Sequence, residues 1–95
     1  MLNSIVLVGR LTENPKLETD TNVATVVISV SRTFKNDEGF YENDFIKCIL
    51  SGSVASKVVD YCAKGDMVGI KGRIQSENNI NEVIAERVTF LSNKE

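Results

Sequence analysis

The sequence predicts an all-β domain, a five-stranded barrel with one helix between its third and fourth strands. Three features carry that expectation: short segments alternate apolar and polar residues with a period of two, glycines fall inside those segments where a barrel wall must bend, and one stretch alone has helical spacing. At 95 residues the chain is one small domain with an adequate but not generous core, a size at which oligomerisation helps.

The first strand is expected over Leu2 to Leu11, where Ile5-Val6-Leu7-Val8 is apolar without alternation. Such a run in so short an element is covered on both faces, by the core on one side and by a partner subunit on the other. Gly9 within it marks a bulge or a close backbone approach, and Thr12 to Pro15 ends it. The second strand, Val23 to Arg32, places Ala24, Val26, Ile28 and Val30 on one face and Thr25, Val27, Ser29 and Ser31 on the other. Asn36-Asp37-Glu38-Gly39 reads as a turn, which makes a hairpin with the third strand. There Ile46, Cys48 and Leu50 point inward while Phe45, Lys47, Ile49 and Ser51 point outward.

Ser53 to Ala63 is the expected helix: Val54, Ala55, Val58, Val59 and Cys62 share a face, a serine precedes them and Lys64-Gly65 closes the end. Val68 to Gln75 forms the fourth strand, with Val68, Ile70 and Ile74 inward and Lys71, Arg73 and Gln75 outward; Gly69 and Gly72 permit sharp bending. A short turn over Glu77 to Asn81 leads to the last strand, Glu82 to Leu91. Five strands with a helix in this place describe an OB-fold barrel.

Ser31 to Ile49 holds four of the six aromatic residues, interleaved with basic side chains. Phe34, Phe40, Tyr41 and Phe45 stand beside Lys35, Lys47 and several acidic residues, which makes a buried aromatic cluster costly. Exposed rings next to cations suit a single-stranded nucleic acid, since each base offers a π-face and each nucleotide a negative charge. Phe34 and Phe45 are therefore the candidate stacking residues, with Arg10, Arg32, Lys35 and Lys47 as candidate phosphate contacts. Lys71 and Arg73 share an outward face and are further candidates, although solvated charges there need no function. Phe40 and Tyr41 divide between hairpin packing and ligand contact, and Tyr61 and Phe90 read as structural. Asp37, Glu38, Glu42, Asp44 and Glu77 read as solvated.

Other functions find little support. A net charge of -2 argues against a general polyanion binder, so any nucleic-acid site must be a local patch. Catalysis lacks its residues: there is no histidine, no nucleophile beside a base and no phosphate-cradling glycine loop, so the chain is read as a non-enzyme without cofactor or metal. Cys48 and Cys62 lack metal or redox spacing and read as reduced thiols. No stretch approaches the roughly 20 apolar residues of a membrane span, and Met1 leads straight into a strand, so a cytoplasmic protein is expected.

Met1-Leu-Asn-Ser-Ile-Val-Leu-Val-Gly-Arg-Leu-Thr with Asn14-Pro15, then Val30-Ser-Arg-Thr-Phe34, Asn43-Asp-Phe-Ile-Lys-Cys48, Lys64-Gly65-Asp66, Gly72-Arg-Ile-Gln75 and Glu82 to Leu91 resemble the bacterial single-stranded DNA-binding protein family in register. The resemblance implies an OB fold, a homo-oligomer built partly through the first strand, tetramer ahead of dimer, and sequence-tolerant binding of single-stranded DNA. It places family stacking aromatics on Phe34 and Phe45 and a family cation on Lys47. Two further family aromatics would fall on Ser51 and near Asn79, and both are absent. The last hairpin is shorter than the family's, and a basic position leading into it is Glu77. The chain ends at Lys94-Glu95, where the family typically continues into a flexible linker and an acidic tip that recruits replication and repair proteins. These departures leave two expectations: a short accessory or mobile-element single-strand binder, or a protein-interaction OB module, PriB-like, within a replication or conjugation complex.

Overall fold

The computed structural model describes residues 2–91. Its elements are β1 (Ile5–Leu11), β2 (Leu17–Glu18), β3 (Val23–Lys35), β4 (Tyr41–Ser51), α1 (Gly52–Tyr61), β5 (Met67–Glu77) and β6 (Ile80–Phe90). β2 is a two-residue strand, not expected from the sequence, that adds to the edge of β3 through Leu17↔Ala24. The other five make the expected barrel, with α1 between its third and fourth strands.

Closure rests on β1, which pairs on both edges. Ile5 to Arg10 run antiparallel to β5, while Arg10 and Leu11 turn onto β3 at Ser29 and Ile28. The circuit is completed by β5–β6, a short parallel β6–β4 contact at Cys48↔Val83, and β4–β3. A strand that bends from one neighbour to another brings backbones closer than a side chain permits. Gly9 sits at that bend, where an added Cβ would lie 2.6 Å from the Ser29 carbonyl oxygen. Gly72 faces the Ile84 carbonyl across a bulge in β6, and a Cβ there would overlap it outright.

The inward residues of each strand meet in one core: Leu11, Ala24, Val26, Ile28, Cys48, Leu50, Val68, Ile70, Val83 and Ala85. α1 stoppers one end by adding Ala55 and Val58. It spans a shorter stretch than the periodicity suggested. Gly52, at φ +60°, turns β4 directly into the helix one residue ahead of Ser53, and Cys62 is already extended. The return loop is tied by side chains instead: Asp66 Oδ2 accepts from the Ala63 N–H at 2.9 Å and Asn14 Oδ1 from the Lys64 N–H at 2.8 Å. Both cysteines are free; burial pushes the Cys48 thiol up to about 11, and burial with nearby Asp66 also raises Cys62.

Both hairpins are longer than the sequence implied. β3 and β4 stay paired to Lys35↔Tyr41, and β5 and β6 to Glu77↔Ile80, well past the last core residue. Antiparallel pairing satisfies backbone groups without burial, so hydrophobic alternation does not register these arms. Asn78 and Asn79, at φ 54° and 65°, form the whole of the second loop, the backbone of the tightest hairpin turns. Ile74, expected inward, lies on this arm and is 44% exposed. The arms help explain a surface of 6853 Å² for a 10.5 kDa chain, against about 5,400 Å² for a compact monomer of that mass.

Replacing Gly72 by alanine is expected to destabilise the barrel by about 1–3 kcal/mol, because only backbone can move aside. Thermal denaturation by circular dichroism should show a drop of roughly 4–8 °C per kcal/mol. Gly69→Ala is the control, since its nearest neighbour is the side chain of Leu91 at 3.3 Å, and its midpoint should fall much less.

Candidate nucleic-acid interface

The strand register builds a three-strand row on the barrel's outer wall. Arg10 of β1 pairs with Ser29 of β3, and Ser29 pairs with Phe45 of β4. Ile46, Cys48 and Leu50 are committed to the core side, so alternation leaves Phe45 outward, 66% exposed in mid-strand. Two residues on, Lys47 pairs with Val27, and then Ile49 with Thr25. Glu82 and Ile84 of β6, with Gln75 and Arg73 of β5 opposite them, extend the wall on the other side of β4.

Phe34 sits on the first arm and is also 66% exposed, together with Phe40 and Tyr41 across the hairpin. Lys35 Nζ lies 5.8 Å from the Tyr41 ring centroid, a cation–π contact at the arm's tip. The loop hangs on Asn36, whose Oδ1 accepts from the N–H groups of Glu38 and Phe40, both at 3.0 Å. Tyr61 and Phe90 lie elsewhere and pack against each other, with ring centroids 6.1 Å apart.

Most nominated cations already hold a partner. Arg32 lies in a bulge where β3 carries extra residues against β4, and each of its guanidinium nitrogens donates to a carboxylate. Nη2 reaches Asp44 Oδ1 at 2.8 Å, Nε straddles both Asp44 oxygens and Nη1 reaches Glu42 Oε1 at 2.8 Å. Asn36 Nδ2 donates to the other Glu42 oxygen at 3.1 Å, joining this clamp to the loop. The Arg32 hydrogen bonds and charge hold the Asp44 carboxyl below the usual carboxylate range, and Asp44 in turn raises Arg32. Lys47 Nζ is 2.9 Å from Glu82 Oε2, and Arg73 Nε is 3.6 Å from Glu86 Oε2. Arg10 Nη1 donates to the Gly65 carbonyl at 2.9 Å.

Lys71 stands apart from this wall. It occupies the row Val6–Lys71–Arg87 and lines a cleft with Val8, Gly69, Thr89 and Leu91. Val6 is 69% and Val8 49% exposed there, so the first strand's apolar run does present one face to the core and one outward. The structure thus gathers Phe45, Lys47, Arg10 and Arg73 on the wall, puts Phe34, Lys35 and Arg32 on the arm, and leaves Lys71 beside an apolar cleft.

Sequence reading missed the carboxylate partners, treating Glu42 and Asp44 as solvated. Counting back from the Asn36 turn would have set Arg32 near Glu42, whereas Lys47 and Glu82 meet only through the parallel β4–β6 contact. One of the two absent platforms gains a local reason. Asn79 fills a positive-φ turn position that disfavours a bulky ring, whereas Ser51 stands at the N-cap position of α1 without a side-chain capping hydrogen bond, and nothing in the structure explains its lack of a ring. Among the described residues no group of three His, Cys, Asp or Glu side chains is placed to hold a metal, and no helix is long and apolar enough to cross a membrane.

The profile described as the Single-strand binding protein family matches residues 2–91. The chain belongs to that family. It is 38% identical to single-stranded DNA-binding protein 3 of Listeria innocua, over 100% of this chain and 67% of the relative. It is 42% identical to single-stranded DNA-binding protein 1 of Staphylococcus aureus, over 99% of this chain and 64% of the relative. The chain therefore spans about two thirds of the length of such family members. Its fold is similar to that of a Plasmodium falciparum SSB in complex with single-stranded DNA, at a TM-score of 0.80 and 20% identity, covering 97% of this chain and 96% of the other.

Because the folded pKa of Asp44 lies below its unfolded value, the clamp's stabilisation is present above the ordinary aspartate range and is lost as pH falls through the lowered folded value. Amide protection factors over residues 31–44, corrected for the intrinsic exchange rate at each pH, should fall on acidification below about pH 4 more than those of the core strands do. Asp44→Asn should show low protection in this segment already at neutral pH and little further loss with acid.

Proposed function

We propose that this chain binds single-stranded DNA with little sequence preference, as a cytoplasmic homo-oligomer serving replication, recombination or mobile-element transfer, without an enzymatic step. The observation that carries the reading is Phe45: a ring two-thirds exposed at mid-strand, in a row with Arg10 and two residues from Lys47, suits a base above and phosphates on either side. Phe34 supplies a second platform on the arm, and Arg10, Arg32, Lys35, Lys47 and Arg73 supply phosphate contacts, with Lys71 at the margin. The names of the family relatives support the ligand. Replication proteins are the further partners this role implies.

A second reading keeps the fold and exchanges the ligand. Ser51 and Asn79 offer no ring, and three of the nominated cations are held by carboxylates. Both facts favour a protein-interaction module in a replication or conjugation complex. Oligonucleotide binding separates the two. Labelled oligo-dT should bind with a slope of log K against log salt near about -3, from roughly -0.7 for each of about four phosphates. Phe34→Ala and Phe45→Ala should each weaken binding by about 1–3 kcal/mol with the barrel intact, while Ser51→Trp should strengthen it. Full affinity in both alanine variants, or equal affinity for duplex, would favour the interaction module.

The subunit contact we assign to β1, because Val6, Val8 and Leu91 form an apolar face that the barrel itself leaves open. Sedimentation at tens of micromolar should give an oligomer, a tetramer ahead of a dimer. Val6→Arg together with Val8→Arg should shift it to monomer, and a monomeric unmodified chain would remove the assignment.

A further inference from the structure

We propose that Glu82, and likewise the Glu42 and Asp44 pair, are internal competitors of the DNA backbone, so that Lys47 and Arg32 each exchange a carboxylate for a phosphate when a strand binds. The inference deepens the DNA-binding reading and rests on it.

The geometry places anionic oxygens where phosphate oxygens would have to go. Lys47 is the cation next to Phe45, and its ammonium reaches toward β6 to meet Glu82 at 2.9 Å. The two ends are unequally seated: the Lys47 side chain is 47% exposed and that of Glu82 15%. The carboxylate is fixed in the wall, and the lysine is the mobile member that can swing to a ligand. At the arm, Arg32 donates from Nε to Asp44 Oδ2 and from Nη2 to Asp44 Oδ1, the two-pronged fork that a phosphate would use. The Arg32 pairs are exposed at both ends and the Lys47 pair at its lysine end, where an ion pair is weak, so a phosphate brought close by a stacked base can draw the cation away from its carboxylate. The freed carboxylate then gathers solvent cations, which offsets part of the ion release that a phosphate contact provides. Each pair therefore lowers affinity and flattens its salt dependence; the Lys47–Glu82 pair does so apart from the arm, whereas the Arg32 clamp also braces the arm that carries Phe34.

The test is a double-mutant cycle on oligo-dT affinity measured across a salt series, with Glu82→Gln, Lys47→Met and the two combined. Glu82→Gln should bind about two- to fivefold tighter than the unmodified protein, with a salt slope steeper by up to about 0.7. In the Lys47→Met background the same change should have no effect, because the competition acts through that ammonium. Asp44→Asn is a second variant on a different element, expected to tighten binding in the same range and to lose that gain with Arg32→Met. Equal or weaker binding by both Glu82→Gln and Asp44→Asn would overturn the proposal and make the acids braces for their cations. The same gain with and without Lys47 and Arg32 would overturn it as a general charge effect. Failure of the unmodified protein and all variants to bind would sink the DNA-binding reading and this inference together, whereas binding without the predicted gains would sink the inference alone.

Discussion

Much of this molecule depends on the bend of β1 between two neighbours. A five-stranded sheet closes only if one strand serves both edges, and here Arg10 is the residue at which β1 leaves β5 for β3. The close approach of Gly9 to Ser29 makes that transfer possible, and Gly72 does the same work opposite Ile84. Closure in turn aligns Arg10, Ser29 and Phe45 in one row, so the candidate binding wall is a product of the joint that closes the core. It also leaves Val6 and Val8 outward, because β1 has only one face to give the interior.

The wall that results joins aromatic exposure to charge compensation. Phe34 and Phe45 are each about two-thirds exposed, whereas the surrounding cations are largely neutralised by Glu42, Asp44, Glu82 and Glu86. A net charge of -2 is thus compatible with a nucleic-acid face. On the proposed DNA-binding reading, attraction at long range is traded for contacts that form only once a base has stacked, which disfavours duplex, whose bases offer no free π-face.

The barrel was legible because it is written in short-range pattern. The alternation of Val23 to Arg32 and of Phe45 to Ser51 named the inward residues, and the spacing of Val54, Ala55, Val58 and Val59 named the helix face. Pattern failed where burial stops being the organising force. The arms beyond Ser31 and Ile74 are held by backbone pairing and by Asn36, Asn78 and Asn79, and the two-residue β2 is held by its edge position on β3. The expectation for the tail at Ser92 to Glu95 lies outside the described residues.

By itself the sequence determined which side chains face water: alternation with a period of two sends Phe45 and Lys47 outward once Ile46, Cys48 and Leu50 are committed to the core, and that is a local property of a strand. Which charges meet was decided only by the tertiary structure. Lys47 and Glu82 are 35 positions apart and become neighbours through a parallel contact between β4 and β6 that no local pattern encodes. Lys71 and Arg73, alike by alternation, were divided in the same way: a bulge in β6 and the curvature of the barrel carry one to an apolar cleft and the other to Glu86. Ion pairs across strands depend on register and closure, which are properties of the whole sheet.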